Sequence, residues 1–161
     1  MGFFRVRLIR LGAALSVFWV CVILSACGSK STSVEDFNSR PVTLPDGKVI
    51  EAEVMVHEQD MIRGMMFRDS LAPDRGMLFI HGQEGKFPYR LYQVRVPLDI
   101  LWMNSNRRIV EISADSKPCP LQSAKACPLY GGHEDALFVL ELAAGVAAKN
   151  GLQVGDTLTF Y

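Results

Sequence analysis

The chain has 161 residues, 49% of them hydrophobic, with 17 basic and 17 acidic side chains, which bounds it to one modest domain around one core. Arg5, Arg7 and Arg10 precede Cys27 and no acid does, so loss of that stretch leaves 14 basic against 17 acidic residues, a net of −3. A weakly acidic domain without a basic patch argues against nucleic acid, whose binding is driven by phosphate neutralisation, and equally against an electrostatic grip on anionic lipid.

The basic start MGFFRVRLIR leads into an apolar run from Leu11 to Leu24, the order of a secretory signal. The run is shorter than the roughly 20 residues a membrane-spanning helix takes, which favours a cleaved signal over a permanent anchor. At its end, Leu24-Ser25-Ala26-Cys27 resembles the lipobox of bacterial lipoproteins, in which the cysteine is diacylated and becomes the first mature residue. The competing readings are an ordinary signal cut nearby or an uncleaved anchor. Two or more acyl chains give stable anchoring, so a lipidated Cys27 implies a protein held on its membrane. Gly28 in place of Asp implies, by the sorting rule this resemblance brings, the outer membrane with the domain facing the periplasm. The expected organisation is a signal peptide over residues 1–26, a lipidated N-terminus and flexible tether over 27–40, and one domain over 41–161.

The domain opens with PVTLPDGKVIEAEVMV, two strand-like runs about a Pro45-Asp46-Gly47 turn. In the second run Ile50, Ala52, Val54 and Val56 alternate with Glu51 and Glu53, the pattern of a half-buried strand. HEQDMIRGMMF then sets Met61, Ile62, Met65 and Met66 on one face of a short helix, a spacing that belongs to plain core more often than to a metal-thioether site. GMLFI reads as a buried strand, HGQEGK as a turn and YRLYQVRV as an alternating strand. DILWM and RIVEIS flank a hairpin turn at Asn104-Ser105-Asn106-Arg107. ALFVLEL is a further strand, AAGVAAKNG a short helix stopped at Asn150-Gly151, and VGDTLTFY a last strand. Six or seven strands with two short helices describe a β-rich α+β domain with a small barrel-like form.

Cys21 falls in the apolar run and Cys27 is the lipid acceptor, leaving Cys119 and Cys127. An isolated pair in an oxidising envelope reads as one disulfide, with redox chemistry or metal binding as the alternatives. The C-x7-C spacing is too long for a C-x-x-C redox motif, and no further Cys or His lies near enough in sequence to suggest zinc.

The blocks RGMMFRDSLAPDRGMLFIH, VPLDILWM, PCPLQSAKACPLY and VLELAAGVAAKNGLQVGDTL, in this order, resemble the bacterial and archaeal family named domain of unknown function 192. The resemblance implies a single β-rich, barrel-like domain, often secreted, of unassigned activity. The family's middle block usually reads like FWMKNT before Pro-Leu-Asp, whereas this chain has YRLYQV, with Gln93 as the nearest substitute for the asparagine.

No GxSxG elbow, P-loop, HExxH or GxGxxG is present, so the common hydrolase, nucleotide and zinc-protease signatures are missing. His57, His81 and His133 are scattered and read as solvated or locally bonded. Asp99 opens the apolar DILWM, where a carboxylate is costly unless paired, and Arg68 is the expected partner. That pair is read as architecture first and as a ligand or catalytic site second. Asp156 is expected to bond backbone in a tight turn. A catalytic version has Asp99 as general base with His133 or Arg68 polarising a substrate, though no nucleophile is identifiable. A binding version has Tyr89, Tyr92, Trp102 and Tyr130 lining a groove. The sequence therefore favours a lipid-anchored envelope module that binds a small ligand or an envelope protein. No catalysis, metal, cofactor or nucleic acid is expected, and a small hydrolase centred on Asp99 is the alternative.

Overall fold

The structure, a computed structural model, describes residues 1–2 and 38–161. The chain divides into two units, Met1–Ser33 and Val34–Tyr161, and the second is described by itself. The expected signal peptide, lipidated Cys27 and tether up to residue 37 lie outside the described residues.

Six strands form one mixed sheet: β1 (Ser39–Thr43), β2 (Val49–Met55), β3 (Arg75–Gly85), β4 (Leu98–Met103), β5 (Ile109–Ser116) and β6 (Ala136–Ala143). Their spatial order is β1-β2-β3-β6-β4-β5, and every pair is antiparallel except β2 with β3. A parallel pair takes a crossover, and the chain supplies one that contains α1 (Glu58–Arg63). The second helix, α2 (Val146–Lys149), follows β6. Ser39 and Arg40 already pair in β1, with Glu53 and Ala52 of β2.

Both faces of the sheet are covered, which is why β4 is buried at all six positions. On one face Leu78, Leu101, Leu140 and Leu142 meet Val42 and Ile50 from the first hairpin, with Val146, Leu158 and Phe160 from the C-terminal segment. On the other, Met77, Phe79, Ile100, Trp102 and Val139 are covered by Met65, Leu91 and Val94. Residues two apart share a core, as the pleat requires.

The sheet does not close, so the domain is barrel-like only loosely. The segment expected as a last strand makes two isolated bridges instead, Thr43 with Thr159 and Arg108 with Thr157. It thereby links β1 to the end of the β4–β5 hairpin. YRLYQVRV is likewise not a strand: Gln93 sits at φ 57, which breaks the extended run, and only Tyr89, Tyr92 and Val94 make isolated bridges. HGQEGK is no turn, because β3 continues to Gly85, with a register shift against β6 between Ile80 and Gly85. Helix α1 stops at Gly64 and buries none of its own residues, leaving Ile62 64% exposed while Met65, beyond the helix, enters the core.

Cys119 and Cys127 are joined in a disulfide. The closed loop docks through the Cys119 N–H, which donates to Leu91 O at 2.9 Å. Just past it, Gly131 at φ +56 lies so close over Trp102 that an added Cβ would come within 2.4 Å of the indole. No side chain fits that gap in a well-packed interior. The loop is therefore fastened over the second core.

Candidate functional site

Asp99 and Arg68 do not meet. Asp99 is 1% exposed, and its two oxygens accept backbone N–H bonds from Asp115 (2.9 Å) and Ala147 (2.8 Å). Ala147 lies in the first turn of α2, so a sheet carboxylate caps that short helix by satisfying one of its orphan donors. Arg68 instead forms a two-pronged pair with Glu53, at 2.6 and 2.7 Å. His133 is not beside Asp99 either, since its Nδ1 lies 2.6 Å from Glu111 Oε1 and its backbone N–H reaches Glu111 Oε2 at 3.0 Å. Burial works to raise the Glu111 carboxyl, but the bonds from His133 outweigh it and hold the group below its ordinary value. The expected Asp99-centred constellation is thus not assembled, because each member is already spent on a nearer partner.

Trp102 is fully buried and its Nε1–H donates to Phe87 O at 2.8 Å, so it is core rather than groove wall. Tyr89 packs edge-on against Phe79 and Trp102, and its hydroxyl lies 3.3 Å from His81 Nε2. Tyr130 bonds the Lys117 backbone through its hydroxyl. Trp102 is thus interior, while the half-buried Tyr89 and Tyr92 line a narrow crevice and Tyr130 is tied to the Lys117 backbone. Gln93 is exposed, and its main-chain oxygen accepts the Phe67 N–H at 3.0 Å. Asp156 accepts from the Gln153 N–H at 2.9 Å, the tight-turn bond expected of it.

What the fold does present is an open groove of about 520 Å³ between β2 and the segment following α1. Glu53 and Met55 from β2 form one side, and Arg63, Met66, Phe67 and Arg68 the other. Phe67 holds φ 64 and is 53% exposed. For a residue with a Cβ that backbone costs about 1–2 kcal/mol, and an aromatic ring gains little by standing in water. Arg63 is exposed beside it and makes no ion pair with any described residue. The groove therefore offers the Arg63 cation with the acidic Asp60, a forked Arg68–Glu53 pair and an apolar platform at Phe67 within one concavity.

A second, narrow crevice of about 40 Å³ opens behind the same segment. Glu141 reaches it from β6, on the face of the sheet that carries Val139, Met77 and Ile100. The residue is 3% exposed, and its Oε2 is buried without a hydrogen-bond partner. Burial pushes the Glu141 carboxyl up to about 8. Burial first, and then the charge of Glu141, also raise the Tyr89 hydroxyl, while burial lowers His81. Sequence reasoning passed over Glu141. The available signal was an acid inside VLEL, a strand whose flanking positions are apolar on both faces and give a carboxylate nowhere to reach water.

Among the described residues no three or more His, Cys, Asp or Glu side chains gather as a metal site would require. Residues 42–160 match the family described as "Uncharacterized ACR", DUF192. No curated protein matches the chain. Two crystal structures share the fold. One is of a candidate transcription regulator from Sinorhizobium meliloti 1021, with 27% identity over 76% of this chain and 92% of that one, at a TM-score of 0.65. The other is of a protein of unknown function from Novosphingobium aromaticivorans, with 26% identity over 75% and 83% of the two chains, at a TM-score of 0.66.

Proposed function

The chain belongs to the domain-of-unknown-function 192 family, and from that premise we propose that it is an envelope lipoprotein, lipidated at Cys27 and facing the periplasm from the outer membrane. Its domain acts as a binding module that receives a small ligand or an envelope protein in the groove of Arg63, Phe67 and Arg68. The anchor rests on the basic start, the apolar run and the LSAC box. The Cys119–Cys127 disulfide suits an oxidising compartment.

The observation that carries the binding reading is Phe67. An exposed aromatic at a left-handed backbone, in an open groove between two arginines, is local strain retained where contact with another molecule repays it. An anionic or aromatic group would find a guanidinium at Arg63 and a ring face at Phe67. The hydrolase centred on Asp99 has no such support, because both oxygens of that carboxylate serve backbone amides. A nucleic-acid-binding role is not favoured by charge, because the chain without residues 1–26 carries a net −3.

The strain is measurable without knowing the ligand. Phe67→Ala and Phe67→Gly both remove the ring, but only glycine relieves the backbone, so urea titration should find the glycine variant more stable by about 1 kcal/mol. Equal stabilities would show that the segment is not held in this conformation, and the observation behind the reading would fall.

A further inference from the structure

The groove leaves Glu141 unexplained. A carboxyl oxygen buried without a partner is costly, and the ordinary remedies are absent among the described residues: no arginine, lysine or backbone amide bonds it. The crevice it faces is lined by Met61, Met65, Met66, Phe79 and Leu91 with Tyr89 alongside, and by the exposed Arg63 and Arg90, neither of which hydrogen-bonds the buried oxygen. Its volume of about 40 Å³ is enough for about three water-sized groups. The space admits the tip of a ligand, not a whole one.

We propose that this crevice is a second binding site, which takes a neutral carboxamide on a slender apolar stem and hydrogen-bonds it to Glu141. The crevice shares Arg63, Gly64 and Met66 with the groove, but a ligand on Glu141 does not require one in the groove. The walls decide the class of ligand. A buried carboxyl packed against methionine and aromatic side chains, with Arg63 and Arg90 lining the crevice but not bonding it, is more easily kept neutral than charged, and an incoming ammonium would meet both a desolvation cost and those two guanidinium charges. A neutral carboxyl has one O–H donor and a carbonyl acceptor. A carboxamide presents the complementary N–H and carbonyl, so both groups are satisfied at once. The pKa of Glu141, pushed up to about 8 by burial, agrees with this neutral state at pH 7.

The walls also supply the reporters, because methionine methyl groups labelled with carbon-13 are resolved by NMR. Titrating the protein with acetamide at pH 6.5 should shift the Met61, Met65 and Met66 methyls saturably, while ethylammonium chloride should not. Glu141→Gln keeps a neutral donor and acceptor and should hold acetamide within about threefold of the parent. Glu141→Leu fills the same space without polarity and should weaken it at least tenfold. The proposal is overturned if acetamide gives no saturable shift, as an ordered water alone would predict. It is overturned as well if Glu141→Leu binds like the parent, or if ethylammonium binds more tightly than acetamide.

Discussion

Asp99→Ala should destabilise the domain by about 3 kcal/mol in urea unfolding, while Asp99→Asn should cost roughly 1 kcal/mol. The alanine leaves the Asp115 and Ala147 N–H groups buried with no acceptor. An orphaned buried donor costs about 1–3 kcal/mol, and losing a helix-capping side chain about 0.5–2 kcal/mol. Asparagine keeps one carbonyl oxygen and so one of the two bonds. A loss below about 1 kcal/mol for the alanine variant would show that the carboxylate is not the clasp between β4, the end of β5 and α2. The distinction matters for function, since a structural aspartate is judged by stability and a general base by turnover.

Glu141 should make the protein less stable as pH rises across the neutral range. Its carboxyl has an ordinary value of 4.5 and is pushed up to about 8 by burial in the folded chain. Between those values the folded state binds a proton that the unfolded state has released. Stability from this group is therefore full below about pH 4.5 and is lost as pH climbs through 8. At about 1.4 kcal/mol per pH unit the loss across that window is on the order of 5 kcal/mol. His81, held below its usual value by burial, works in the opposite direction through part of the same window. The comparison with Glu141→Gln therefore isolates the glutamate: the variant should lack the downward slope between pH 5 and pH 8. Parallel curves for the two proteins would mean that Glu141 is solvated in the fold.

Much of the fold could be read from local pattern. Ile50, Ala52 and Val54 alternate with Glu51 and Glu53, and they line the buried side of β2. DILWM and RIVEIS pair across the Asn104–Arg107 turn, and Asn150-Gly151 ends α2. What escaped was non-local. YRLYQV alternates like a strand, but its partners are three isolated positions in loops, and the left-handed Gln93 interrupts any ladder. VGDTLTFY bridges the two ends of the sheet without joining either as a strand.

The site escaped for the same reason. Arg68 finds Glu53 because β2 and the segment after α1 flank one groove, a neighbourhood that no spacing in the sequence encodes. Asp99 was rightly singled out as a buried carboxylate requiring partners, yet its partners are main-chain amides, which a sequence does not distinguish from any others. Glu141 is marked in the sequence only by its apolar neighbours on both sides in VLEL, a weak signal because a single acid in a strand can also be its solvent-facing position. Only the cover on both faces of the sheet makes it interior.

The central claim is that a lipid-held domain binds through the Phe67 groove, and crosslinking in native membranes tests it most directly. The full chain, carrying a photo-reactive phenylalanine analogue in place of Phe67, is expressed in cells fed labelled palmitate and irradiated. The expected result is a discrete adduct on the palmitate-labelled protein, absent when the analogue replaces the exposed Val154, with label lost in Cys27→Ser. Equal adducts from both positions, no adduct from position 67, or palmitate retained in Cys27→Ser would contradict the account.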